Sequence, residues 1–341
     1  EAMFFAHYDI LTKRPSNNFR FDPIDYFYLA NVGGTINNPD LKPERTIDYQ
    51  LGFKQKLGTS SALTIQAYYR EMRNMVQIIP INFAYPVNYF TYGNIDFGNV
   101  KGLTVDYDLR RSGNVRMTAS YTLQFAEGTG SNANSASTFV NLGLDAIRTP
   151  FALSFDARHR IVTNLDYRFG TGKNYTGPKS TALRAIFEGF GFNFTANYIS
   201  GTPYTRQRLV TPAAAPNIGG RTQQKGDINS SRLPGQFRVN FRCDKDINIQ
   251  VGTNENGKPK YLSTTIYLQV LNLLDARNIL GSYAYTGSPS DDGYLASPLG
   301  AQQLQSVFSQ QSFIDLYRSA MDNPGFYSLP RRTRLGIRFN L

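Results

Sequence analysis

The chain has 341 residues, 41% hydrophobic and 13% aromatic, with a net charge of +11. No run of about 18 apolar residues occurs, so a transmembrane helix is excluded, and 24 Phe with 22 Tyr are too many for a disordered chain. One cysteine, Cys243, and two distant histidines, His7 and His159, leave no internal disulfide, cysteine-based zinc cluster or metal-ligand spacing, and the scattered Lys and Arg form no nucleic-acid footprint.

Along the chain one signal dominates, the strict alternation of apolar and polar residues. It opens at Phe4, Ala6, Tyr8 and Ile10 and returns at Ile47, Tyr49, Leu51 and Phe53. It runs on through Leu63–Tyr69, Leu103–Leu109, Val115–Phe125 and Ile161–Phe169. The second half adds Phe190–Tyr198, Phe237–Cys243, Leu262–Val270 and Leu335–Leu341. A period of two sustained over such lengths predicts strands, about ten of them.

The connections alternate in length. Short turns are expected at Gly58–Ser61, Arg111–Asn114 and Thr253–Lys260, and long polar loops at Thr12–Glu44, Arg73–Gly98, Glu127–Leu153, Gly201–Gln236 and Asp275–Leu329. Gly170–Gly189 falls on the short side but is longer than its companions. A soluble β-sandwich or propeller has strands of about five or six residues and rarely carries loops beyond about 15. Long one-face-apolar strands with turns at one end and loops at the other describe an all-β, antiparallel transmembrane β-barrel. Rings near the strand ends, among them Tyr49, Tyr69, Tyr121 and Tyr167, fit aromatic girdles at the two interfaces.

Several motifs weigh toward structure rather than chemistry. Gly252–Lys258 has phosphate-loop spacing, but Pro259 stands where a magnesium-binding hydroxyl is needed and the segment joins two strands. Asp156, Arg158, His159 and Arg160 offer acid, base and cation without a nucleophile, so mutual charge satisfaction is the expectation and no enzyme is predicted. Asp291-Asp292-Gly293 lacks calcium-loop spacing and predicts a tight turn, and Gln302–Met321 predicts a short helix inside the last loop. No cofactor is expected.

The stretch Asn38-Pro39-Asp40-Leu41-Lys42-Pro43-Glu44-Arg45, followed by Asp48–Phe53, resembles a signature of TonB-dependent outer-membrane receptors. Leu268–Asp275 resembles their penultimate-strand ending, and Arg334–Leu341 their terminal strand, with Leu341 where Phe is usual. Tyr121–Ala126 with Gly128–Ser131, Asp156 with Arg158 and His159, Ser200–Thr205 and Thr286–Tyr294 are similar to the Oar-like receptors of Bacteroidetes. The resemblance implies the outer membrane of a Gram-negative bacterium. It also implies that residues 1–341 are the C-terminal portion of one barrel domain, about ten strands of about 22, with plug and N-terminal strands elsewhere. Its implied partners are outer-membrane lipid, the protein's own plug domain, TonB, and a surface lipoprotein or other outer-membrane protein.

The expected function is energy-coupled import of a ligand bound by the extracellular loops. The alternative is an Oar-like structural or secretion-linked surface protein without an import role. Ligand contacts are expected from Tyr26, Tyr28, Tyr85, Tyr89, Tyr92, Tyr283 and Tyr285, and from Arg158, His159 and Arg206. Arg110, Arg116 and Arg238 are expected to face the lumen, and Leu335, Ile337, Phe339 and Leu341 to form the assembly signal.

Overall fold

The computed structural model describes residues 1–16, 24, 27, 35–141, 148–214, 223–253 and 259–340. Tyr26, Tyr28, Leu341 and the tip of the Thr253–Lys260 turn lie outside them. Ten long strands carry the fold: β1 (Ala2–Lys13), β3 (Glu44–Lys56), β4 (Ser61–Ile81), β5 (Tyr89–Ser112), β6 (Val115–Gly128), β8 (His159–Arg168), β9 (Phe190–Ile199), β12 (Gln236–Thr253), β13 (Pro259–Leu271) and β14 (Arg332–Asn340). Short strands β2 (Thr35–Ile36), β7 (Phe151–Ala152), β10 (Pro203–Tyr204) and β11 (Ser231–Arg232) belong to the loops. The long strands lie in chain order in one sheet, each antiparallel to the next, and the sheet is open at β1 and β14 among the described residues. This is a partial barrel wall.

Register makes the two faces explicit. One continuous row pairs Phe4 with Phe53, then Ile65, Val105, Tyr121, Ile161, Tyr198 and Phe237. A lower row joins Met117, Leu165, Phe194, Phe241 and Val270. The residues between them, such as Thr118, Asn164, Thr195 and Asn240, make the polar face. Because alternate side chains leave opposite sides of a strand, Thr122 and Leu123 separate as the sequence pattern requires. An apolar surface continuous over ten strands far exceeds what a soluble monomer exposes, and hydrocarbon is its natural solvent. Lys101 and Lys245 also stand on this face, but at its margins. Lys101 pairs with Tyr69 and Phe125 at the loop end, where an ammonium can reach headgroups, and Lys245 pairs with Phe190 and Ile266 at the turn end, where its ammonium donates to the carbonyls of Ala185 and Ile186.

On the polar face, charges neutralise one another across strands. Arg168 binds Asp244 at 2.6 Å and Asp246 at 2.8 Å, and Arg70 binds Asp48 at 3.0 Å. Three aromatic rings, Phe5, Tyr68 and Tyr267, close on the glycines opposite them, Gly52, Gly102 and Gly336. A Cβ on Gly102 would come 2.5 Å from the Tyr68 ring, and one on Gly336 2.4 Å from Tyr267. Only glycine admits that approach.

The expected Arg73–Gly98 loop is instead mostly strand. β4 and β5 continue as a ribbon up to a tip at 82–88, past register shifts around Asn74, whose φ is +56°. Above Arg73 the strand β3 has ended, so β4 there is an edge and tolerates Pro80, whose missing N–H faces no neighbour. The predicted single helix in the last loop is two, Pro298–Ser306 and Gln310–Met321, with Ser297 and Ser309 accepting N–H bonds at their starts. The long link on the turn side holds a further helix, Thr181–Phe187.

Leu165 sits mid-face between Met117 and Phe194, whereas the Asn164 side chain donates to Thr195 Oγ1 at 3.0 Å on the polar side. Leu165→Arg is expected to cost about 2–4 kcal/mol and to lower the heat-resistant, barrel-assembled fraction on gels, with Asn164→Arg close to wild type. Equal losses would contradict the facing.

Candidate functional site

At the loop end four segments interlock into one layer. The first is the 38–45 signature stretch, which is held against the β4–β5 ribbon. Asn38 Nδ2 donates to the Tyr92 carbonyl at 2.8 Å, and Asn94 bridges the Lys42 N–H and carbonyl at 2.7 and 2.9 Å. Glu44 Oε1 accepts from the Val76 N–H at 3.1 Å. These side chains occupy backbone groups where β3 leaves the ribbon, so the signature is a structural clasp.

The second segment, 129–141, packs on the other side of the ribbon. Gln77, fully buried, donates to Asp96 at 2.8 Å and to the Asn132 carbonyl at 3.3 Å, while its carbonyl oxygen accepts from the Ala136 N–H at 3.2 Å. Thr129 closes the second oxygen of Asp96 at 2.9 Å. Ile78, Ala136 and Val140 form a small core beside them with Phe90 and Tyr92.

The third contact centres on Asp156, buried at the end of that loop. Its carboxylate accepts from the Ala126 N–H at 2.9 Å and from Arg232 of β11, which also donates to the Asp156 carbonyl at 2.6 Å. Asn229 donates to the Ala152 carbonyl at 2.7 Å, joining the same two loops. The expected charge satisfaction of Asp156 is therefore present. Its principal partner, however, is Arg232, 76 residues away in sequence, with Arg158 at 3.9 Å.

The fourth contact centres on Asp292. Its carboxylate accepts from the N–H groups of Ala213 and Tyr294, each at 2.9 Å, and from the Tyr317 hydroxyl at 2.5 Å. Around it Tyr294, Tyr317 and Met321 are buried with Tyr283 and Phe313 against them. The neighbouring Asp291 accepts from the Gly293 N–H at 2.8 Å, the tight turn its sequence predicts. Burial, and then the hydrogen bond to Asp292, push the Tyr317 phenol well above its ordinary value, so it stays a donor. Among the described residues no three His, Cys, Asp or Glu side chains come together as metal ligands.

The residues selected from sequence fall into separate places. Tyr85 is almost wholly exposed at the ribbon tip, whereas Tyr92 packs inward, its hydroxyl 3.5 Å from Asn134. Arg206 donates to the Tyr285 carbonyl at 3.2 Å, bringing two of them together between the third loop of this layer, 201–236, and the fourth, 275–329. Tyr283 spends its hydroxyl on the Met321 carbonyl at 2.5 Å and is part of the packing. His159 corrects the expectation. It pairs with Leu123 on the apolar face and its Nδ1 lies 3.0 Å from the Tyr121 hydroxyl, so it joins the rings of that face and takes no part in the bonds of Asp156. Gln77, Arg232 and Tyr317 carry the layer without having been selected. Nothing local marks them, because each partner lies far along the chain: Ala136 for Gln77, Asp156 for Arg232 and Asp292, 25 residues back in the same loop, for Tyr317.

Removing Arg232 strands the Asp156 carboxylate. Arg232→Ala is expected to weaken loop closure by about 3 kcal/mol, read as protease cleavage within 201–235 rising roughly a hundredfold. Tyr317 predicts a pH dependence. A phenol whose folded pKa is raised stabilises fully below its unfolded value of about 10 and loses that contribution as pH climbs beyond it. Wild-type loop protection should therefore fall above about pH 10, while Tyr317→Phe starts lower and declines less steeply.

No curated protein sequence matches the chain. Solved structures similar to it include the ferric-catecholate import receptor Fiu from Escherichia coli K12, at 15% identity over 82% of this chain and 29% of that one, TM-score 0.47. The pyoverdine outer membrane receptor FpvA from Pseudomonas aeruginosa PAO1 aligns at 13% identity over 83% of this chain and 31% of that one, TM-score 0.49. The outer membrane transporter YddB from Escherichia coli does so at 13% over 82% and 35%, TM-score 0.48. The chain thus spans about a third of the length of each. The sequence itself matches the family described as TonB dependent receptor-like, beta-barrel over residues 12–273, and the chain belongs to that outer-membrane family.

Proposed function

We propose that this chain supplies wall and outer loops to a TonB-dependent importer of the Oar-like type. In this reading residues 1–341 are the C-terminal portion of one barrel domain, completed by further strands and a plug. The loops bind ligand from outside, and energy delivered through TonB moves it past the plug. The observation that supports binding rather than a passive wall is the loop layer itself. Four segments are tied to the ribbon or to one another by side-chain carboxylates and amides, an ordering that a mere connection between strands does not need.

Tyr85, Arg158, Arg206 and Tyr285 are the residues we assign to ligand contact, with Tyr26 and Tyr28 outside the described residues. Arginine forks and phenols on an open polar surface favour an anionic or hydrogen-bonding solute. Arg110, Arg116 and Arg238 continue that character along the wall.

Two measurements test the proposal. Tags inserted at Tyr85 and at the exposed Phe308 should be labelled on intact cells, and one at Thr59 only after the outer membrane is opened. The reverse pattern would invert the orientation. A deletion strain should lose uptake of the solute that co-purifies with the full-length protein, as identified by mass spectrometry. Intact uptake together with lost surface proteins would favour the structural or secretion-linked alternative.

A further inference from the structure

The link between β8 and β9 stands apart from the other turns at its end of the sheet. It contains a 3-10 turn at Gly172–Asn174 and the helix Thr181–Phe187, and it is fastened to the apolar face. Phe187 lies 5.2 Å from Phe169 and 6.2 Å from Phe190, and Phe190 lies 4.8 Å from Phe192, so the helix extends a run of rings on that face. Lys245, in register with Phe190 and Ile266, donates to the carbonyls of Ala185 and Ile186 at 2.8 and 3.0 Å and closes the helix end.

With Phe187 turned to the sheet, Leu183 and Ile186 are left 43% and 56% exposed. Three cations stand in the same link. Arg184 is engaged with Glu188 at 3.1 Å and lies over the Tyr175 ring, whereas Lys173 and Lys179 are exposed.

We infer that this segment is an interfacial anchor: Leu183 and Ile186 enter the acyl boundary of the leaflet on the turn side, and Lys173 and Lys179 hold the phosphate of an anionic phospholipid. The placement selects lipid over a protein occupant. The helix continues, through Phe187, the run of rings on the face whose solvent is hydrocarbon, so its exposed apolar pair stands where the acyl boundary begins. Two lysines in one link with a short apolar ridge are the charge pattern that attracts anionic headgroups. The inference rests on the membrane setting of the wall and not on import, so an uptake defect neither supports nor removes it.

The test uses the full-length protein with native thiols replaced, Cys243→Ser included, in vesicles of phosphatidylethanolamine and phosphatidylglycerol. An environment-sensitive dye is attached at Ile186→Cys or, on the short turn, at Thr59→Cys. Lipids brominated on the acyl chain should quench the dye at 186 and leave that at 59 nearly untouched. Brominated phosphatidylglycerol should quench at lower mole fraction than brominated phosphatidylcholine, and Lys173→Gln with Lys179→Gln should erode that preference by roughly fivefold or more. No quenching at 186, or equal quenching at both positions, overturns the anchor. Shielding of 186 from both lipid bromine and aqueous iodide would mean a protein covers it, and equal response to the two headgroups overturns the lysine assignment.

Discussion

Every part of this structure follows from the need to pair backbone groups where no water can take their place. In hydrocarbon an unpaired N–H or C=O costs several kcal/mol, so strands must be flanked by strands for as long as they are in the membrane. The antiparallel meander meets that need with the shortest connections, and it makes side chains alternate between lipid and lumen. The rows from Phe4 to Phe237 and from Met117 to Val270 are that constraint made visible across the sheet. Where the constraint lapses, above Arg73, irregular features appear at once: register shifts, a positive φ at Asn74, and a proline in a strand.

Above the membrane edge a different economy applies. There the loops are polar, and burying them demands that each carboxylate or amide find partners. Asp96, Asp156 and Asp292 serve as centres because a carboxylate accepts several bonds at once and can gather groups from distant segments. The signature stretch at 38–45 and the Asn272 turn do the same work at smaller scale. Asn272, at positive φ, accepts from the Ala276 N–H at 2.9 Å and donates to the Leu329 carbonyl at 3.1 Å, closing the last loop where β13 ends.

The wall was legible in the sequence because period two is a local property, written residue by residue in segments such as Val115–Phe125. The strand pairing followed from chain order and from turn length. The extended ribbon was less visible, since Val76–Ile81 is apolar on both faces apart from Gln77 and is interrupted by Pro80. The loop layer was hidden for another reason. Gln77 finds Ala136 and Asp156 finds Arg232 only after the strands beneath have set their spacing, so no window of sequence contains both partners. His159 stands close to Asp156 and Arg158 in sequence, but it opens β8 opposite Leu123, and that register rather than the neighbouring charges sets its surroundings.

The cross-tied layer has a consequence for recognition kinetics. Loops that are separately mobile must each be immobilised by a ligand, and that ordering is subtracted from affinity. Here a displacement of the last loop at Asp292 passes to Ala213, and a displacement of the third loop at Arg232 passes to Asp156. The layer is built to shift as a plate, with much of its entropy already surrendered in folding. On the proposed reading, a solute meeting such a surface encounters a nearly finished shape and has little left to order.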